Sequence, residues 1–82
     1  MNYRRGDIVA TRSGDYVMII KEQLSYDCAE VIAMCDRKEA YFYHRGWFSR
    51  LATKEEKARL FWLLQKKGYT WDEENLELIQ EL

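Results

Sequence analysis

The feature that most constrains the fold is a helical segment that begins after Thr53 and ends before Gly68. Thr53 and Glu56 have the spacing of a capping box, in which each side chain accepts a hydrogen bond from the other residue's backbone amide. Glycine at position 68 can adopt the left-handed conformation that ends a helix. The sequence therefore predicts one helix over residues 54–67.

The residues before this helix favour short β-strands. Stretches rich in β-branched and aromatic residues, separated by turn sequences, predict strands at 8–11, 16–22, 29–34 and 40–44, and a short return from Trp47-Phe48. For 29–34, a short helix remains an open alternative. The nearly continuous apolar run in 16–22 predicts a hairpin strand buried on both faces near its centre.

The residues after Gly68 favour a β-hairpin. Strands at 69–71 and 76–79 would flank a turn at 72–75, with Tyr69 and Trp71 on one face and Leu76 and Leu78 sharing a face. A helix that starts at Asp72 is the open alternative.

These elements predict an α+β fold: a small SH3-like β-barrel or bent antiparallel sheet, followed by one α-helix and a C-terminal β-hairpin. The 82 residues predict a single domain, 1–82, with a β-core at 1–52, the helix at 53–67 and the hairpin at 69–79. We expect the helix and hairpin to cover one opening or one edge of the β-core. Because a chain this short buries only about 60–65% of its unfolded surface, the core must be small.

The composition is that of an ordinary soluble domain, with 48% hydrophobic and 33% charged residues. No apolar run is long enough to cross a membrane, so no membrane partner is expected. The first residues lack the apolar segment of a signal peptide, which makes the cytoplasm the expected location.

The charge distribution argues against extended nucleic acid as a partner. The net charge is −1, and the last thirteen residues carry five acidic residues and no lysine or arginine. That tail would repel phosphate.

The second half of the chain carries the pattern L-A-T-x-E-E-K-x-x-L-F-x-x-L-x-x-x-G-Y-x-W-D at residues 51–72, and the first strand opens with G-D-x-V at residues 6–9. This combination resembles small uncharacterised proteins encoded in prophages and mobile elements of gut bacteria. The likeness covers about half the chain, mostly residues 51–78. It implies a mobile-element context in which small proteins bind a host component, and it brings no reaction, cofactor or catalytic residue.

Trp62 does not fit the amphipathic pattern of the helix. At 100° per residue, Leu60, Phe61 and Leu64 form the apolar side, whereas Trp62 lies on the charged side. Either another part of the chain covers the indole, or it is an anchor for a protein contact, since tryptophan is enriched in interface hot spots. The sequence leaves both readings open.

The aromatic stretch 41–48 is the second candidate site. On a strand, Tyr41 and Tyr43 face one way, and Phe42 and His44 the other. If the face of Phe42 is the core, the two tyrosines point outward beside Arg45, where they could stack on a base or dock a peptide. The alternative is that these aromatic residues simply fill a small core.

Catalytic and metal-binding patterns are not found in the sequence. His44 is the only histidine and has no nucleophile motif around it. Cys28 and Cys35 do not have metal-ligand spacing and are predicted to be reduced thiols. We therefore expect no cofactor, no metal site and no catalytic residue.

The leading prediction is a non-enzymatic binding module that contacts a host protein. Its predicted contact residues are Trp62, Tyr41, Tyr43, Arg45 and Trp47. The alternative is a nucleotide or nucleic-acid binder that uses the aromatic strand 41–48. Self-association as a homodimer is also open, because a two-fold interface could bury the many aromatic residues.

Overall fold

The computed structural model describes residues 3–81 and shows an α+β chain with one helix and short strands. The predicted α+β class is confirmed, and 29–34 lies in a strand rather than a helix. In chain order the elements are β1 (Ile8–Ala10), β2 (Val17–Ser25), β3 (Cys28–Cys35), β4 (Ala40–Tyr41), β5 (Arg45–Trp47), β6 (Arg50–Leu51), α1 (Lys54–Lys66), β7 (Tyr69–Asp72) and β8 (Glu77–Gln80).

The first six strands form one open antiparallel sheet in the order β4-β3-β2-β1-β6. Strand β5 also pairs with β3, so β3 has two short partners on the same edge. Strand β4 pairs with Met34 and Cys35 at the end of β3, and β5 pairs with residues 28–30 at its start.

The predicted single strand at 40–44 is wrong. Strand β4 ends at Tyr41, and the chain pairs again only at Arg45. The reason lies in β3, where Ile32 has no partner on β2 and forms a bulge. Residues 42–44 pass this bulge between the pairing of β4 with β3 and the pairing of β5 with β3. The His44 carbonyl accepts a hydrogen bond from the Val31 amide at 2.9 Å.

The β2–β3 hairpin is bent because its register shifts three times. Besides Ile32, the register leaves Lys21 and Leu24 of β2 without partners on β3. The bulge at Ile32 also changes which side chains share a face. Val31 and Met34, three positions apart, consequently pack in the same cluster.

Both faces of the sheet are buried at residues 17–20, the first four of β2 and the centre of the strand predicted at 16–22. Val17 and Ile19 pack in one cluster with three leucines of α1. Met18 and Ile20 pack in a second cluster with Phe48 and residues of β3. The helix therefore covers one face of the sheet, rather than an opening or an edge.

The predicted helix and its capping box are confirmed. The Thr53 hydroxyl accepts from the Glu56 amide at 3.1 Å, and the Glu56 carboxylate accepts from the Thr53 amide at 2.9 Å. The helix ends at Lys66, one residue earlier than predicted, with Lys67 as the C-cap. Gly68 has φ +89°, as its predicted role requires.

The C-terminal hairpin is also confirmed over the helical alternative. Trp71 pairs with Leu78, and Tyr69 and Trp71 both pack against the helix-side cluster. Leu76 is the exception, because it lies in the turn with φ 55° instead of in a strand beside Leu78. Its side chain lies next to the backbone of Gly6.

Candidate partner-binding surfaces

The predicted contact residues differ in exposure. Trp47, Tyr43 and Trp62 are 64%, 62% and 57% exposed, which is high for aromatic side chains in a chain with so small a core. Arg45 is also exposed, whereas Tyr41 is half-buried. The five residues do not form one continuous site. They lie on α1, on β4, on the β4–β5 connection and on β5.

Trp62 is not covered by the hairpin or by the strands. Its neighbours Leu60, Leu63 and Leu64 are buried against the sheet, so the helix turns the indole away from the core. The Lys66 ammonium lies 4.6 Å from the centre of the indole ring. A cation–π contact at an exposed site contributes only about 0.5–1 kcal/mol, which does not account for an exposed tryptophan.

Tyr41 and Tyr43 form a stacked pair, with ring centres 5.5 Å apart and ring planes 18° from parallel. Tyr41 packs against the second cluster, and its hydroxyl donates a hydrogen bond to the Asp36 carboxylate. Only Tyr43 therefore points outward as predicted. Phe42 is not a core residue either, because its ring is 46% exposed and packs on Tyr69 at 4.9 Å.

The Asp36 carboxylate holds Tyr41, the half-buried member of the stacked pair, in place. It accepts hydrogen bonds from the Glu39 and Lys38 amides at 2.8 and 2.6 Å. These bonds favour the charged carboxylate and lower the pKa of Asp36 below its ordinary value. The ionised Asp36 thus anchors Tyr41 at one end of β4.

Arg45 and Trp47 are exposed because Gly46 lies between them. A Cβ at position 46 would collide with the Met18 sulfur, so Gly46 faces the buried cluster. Since successive strand residues alternate between faces, its two neighbours point to the opposite side. This arrangement of a buried glycine and two exposed neighbours places the indole of Trp47 at the surface.

Trp47 lines a groove of about 400 Å³ where three chain connections meet. The groove is lined by Thr11 and Arg12 after β1, Tyr26 and Asp27 between β2 and β3, and Trp47, Phe48 and Ser49 at β5 and after it. Sequence reasoning missed Tyr26, which is 83% exposed. The available signal was a tyrosine in the polar turn Ser25-Tyr26-Asp27, where no core needs it.

A larger groove of about 650 Å³ separates α1 from the C-terminal hairpin. Its lining comprises Phe61, Gln65, Tyr69, Thr70, Trp71, Asp72, Glu73, Glu74 and Ile79. Sequence reasoning missed this groove. Its walls come from the helix and from the hairpin, and the distance between these two elements is set by tertiary packing rather than by a local sequence pattern.

The histidine and the cysteines do not come together in a site. His44 is exposed, whereas Cys28 and Cys35 are buried free thiols at the two ends of β3. Burial raises the pKa of the Cys35 thiol, although the nearby Arg59 guanidinium opposes the rise. Residues 3–81 contain no group of three or more His, Cys, Asp or Glu side chains arranged to hold a metal ion.

No family model, curated protein or solved structure matches the chain. Across the described part of the chain, no helix has the length and apolarity needed to cross a membrane. Function is therefore inferred from the geometry of the exposed aromatic side chains.

Proposed function

We propose that this chain is a non-enzymatic binding module, encoded by a phage or mobile element, that contacts a host protein in the cytoplasm. The observation that carries the proposal is the groove flanked by Trp47 and Tyr26, which are 64% and 83% exposed. Aromatic residues with one apolar body and one polar group dominate protein-contact sites.

The strand order supports an SH3-like reading of the β-core. Strand β1 lies between β2 and β6, and the groove forms where the β1–β2, β2–β3 and β5–β6 connections meet. SH3-like domains dock extended peptide segments in aromatic-lined grooves of this kind. We assign the same mode of binding to this groove, with an extended segment of the host protein as its occupant.

Four of the predicted contact residues take roles in this contact. Trp47 supplies the apolar platform, and Arg45, two residues before it on the same strand face, offers a cation to a segment that extends along β5. Tyr43 extends the contact beyond the groove, and Tyr41 supports it by stacking. Trp62 lies on α1 and offers a separate contact.

Affinity capture from a lysate of the bacterial host, quantified by mass spectrometry, tests the proposal. The wild type should retain one defined protein, and Trp47→Ala should reduce its capture by about tenfold or more, the effect expected of an aromatic hot spot. The matched control is Tyr16→Ala, because Tyr16 is 44% exposed and does not line the groove. Thermal unfolding of both variants checks that capture is not lost through unfolding.

The proposal is wrong if the protein retained by the wild type is retained equally well by Trp47→Ala. It is also wrong if Tyr16→Ala, folded and equally stable, loses the partner to the same extent. In that case, the loss would not come from the groove.

The alternative is a nucleotide or nucleic-acid binder, which the stacked tyrosine pair favours. Tyr43 is 62% exposed and backed by Tyr41, so its ring could take a base, a contact worth about 1–3 kcal/mol. The purified protein would then carry a ligand that absorbs near 260 nm. It would lose that ligand on Tyr43→Ala and keep it on Trp47→Ala.

A further inference from the structure

The exposed side of α1 presents an apolar anchor. Trp62 is 57% exposed, and Lys66 holds its ammonium over the ring at 4.6 Å. Ala58, one turn before Trp62, is small and exposed, so this side of the helix can be approached closely by another chain. An exposed indole beside a small residue and a cation has the features of an interface hot spot.

A groove that could receive such an anchor lies on the same end of the same helix. Phe61 and Gln65 form its helix wall, and Trp71 and Ile79 come from the hairpin. At 100° per residue, Gln65 lies about 60° around the helix from Trp62. The anchor and the groove are therefore neighbours on one surface, although the indole does not line its own chain's groove.

The charged side chains on this surface are of opposite sign, and none of them forms an ion pair among residues 3–81. The acidic rim of the groove is formed by Asp72, Glu73 and Glu74. Asp72 is engaged by the amides of the turn, but Glu73 and Glu74 make no ion pair within residues 3–81. Lys66 makes none there either.

We infer that the occupant of this groove is a second copy of the chain, whose Trp62 enters it while its Lys66 faces Glu73 and Glu74 on the rim. The same contact occurs twice, because each copy offers both the anchor and the groove, which is the condition for a closed two-fold interface. The contact uses different residues from the Trp47 groove, and it does not depend on the host-protein proposal.

A second copy is favoured over another partner because both complementary halves lie side by side on one chain. Lys66 is opposite in charge to the rim that it would meet, and Trp62 matches the apolar walls of Phe61 and Trp71. The net charge of −1 adds almost no general repulsion between copies.

Sedimentation equilibrium of the full chain over a range of concentrations tests the inference. The wild type should be a dimer, and Trp62→Ala should raise the dissociation constant about 30-fold or more, as for a hot-spot tryptophan. Tyr16→Ala, an exposed aromatic residue that does not line the groove, should dimerise like the wild type. A wild type that stays monomeric up to about 1 mM, the weak end of the affinity scale, overturns the inference.

A charge exchange tests the arrangement of the dimer. Lys66→Glu alone and the double variant Glu73→Lys/Glu74→Lys should each be monomeric, because each homodimer would bring like charges together twice. An equal mixture of the two variants should form a heterodimer, since both rim contacts then join opposite charges. Failure of the mixture to associate, or dimerisation of the wild type that survives Trp62→Ala, overturns the inference.

Discussion

The β2–β3 hairpin and the β7–β8 hairpin differ in strand length and in how they are packed, with strands of nine and eight residues in the first and of four residues each in the second. In β2–β3, residues Val17, Met18, Ile19 and Ile20 are fully buried, and the register shifts three times. In β7–β8, no residue is fully buried and four pairs run without a shift. The first hairpin is the core of the sheet, whereas the second rests on the helix through one face only.

The contrast shows that packing determines which side chains of a hairpin remain available to a binding partner. At residues 17–20, where β2 is covered on both faces, no side chain is left for a partner, and the bulges of the hairpin bend the sheet around two clusters. A strand covered on one face keeps a free face, and in β7–β8 Thr70 and Ile79 of this face line the 650 Å³ groove. Tyr69 and Trp71 line it from the face that packs on the helix. Stability should depend on the buried strands of the first hairpin, and self-association on the second hairpin.

The largest expected effect is in the buried hairpin. Ile19→Ala should lower the free energy of unfolding by about 2–5 kcal/mol, because it leaves a cavity under α1 at a site with no exposure. The matched change in the exposed hairpin, Ile79→Ala, should stay within about 1 kcal/mol, since Ile79 is 43% exposed. Urea unfolding followed by tryptophan fluorescence measures both, and equal losses would contradict the contrast.

A smaller effect is expected where the β-core joins the helix. Arg50 and Glu56 form a two-bond ion pair with distances of 2.8 and 2.9 Å, and the Arg50 guanidinium lowers the pKa of Glu56 to about 2. A carboxyl group whose pKa is lower in the folded state stabilises the fold fully above its ordinary pKa. That contribution is lost as the pH falls from about 4.5 to about 2.

Glu56→Gln should therefore cost about 1.5–3 kcal/mol at pH 7, the range for hydrogen bonds to charged groups. Stability measured against pH should show the wild type and Glu56→Gln converging towards pH 2. Glu55→Gln is the control, because Glu55 is exposed and makes no ion pair in the described residues. An unchanged gap between wild type and Glu56→Gln at pH 7 and near pH 2 would refute this role.

The smallest effect is expected where the helix joins the exposed hairpin. Gly68→Ala should cost about 1–2 kcal/mol, because an L-residue is strained at φ +89°. The nearest atom to an added Cβ is the Glu81 carbonyl oxygen at 3.4 Å, so the cost is conformational rather than a clash. Gly68→Asn should recover part of it, since asparagine tolerates this conformation.

Hydrogen exchange at the amides of β7 and β8 should accelerate in Gly68→Ala, because the Gly68 carbonyl accepts from the Glu81 amide at 2.7 Å. If Gly68→Ala and Gly68→Asn were equally stable, conformational strain at this position would not be the cause.

The parts of the fold predicted correctly are those specified by neighbouring residues. The capping box needs only Thr53 and Glu56, and the helix end needs only Gly68. The prediction of a single strand at 40–44 failed because the pairing of this segment depends on Ile32, which lies eight or more positions earlier in the chain. The bulge at Ile32 interrupts the pairing with β3 after Tyr41. Leu76 was misplaced for a related reason, since its left-handed turn conformation does not follow from its residue type.

The sequence by itself determined the α+β class, the helix with its two ends and the C-terminal hairpin, because capping, turn and alternation signals act over a few residues. Only the tertiary structure decided that Trp62 stays exposed, that Tyr41 is half-buried while Tyr43 is open, and that two grooves form. These features depend on how far apart packed elements come to lie. That distance is a property of side-chain volumes across the whole core rather than of any local pattern.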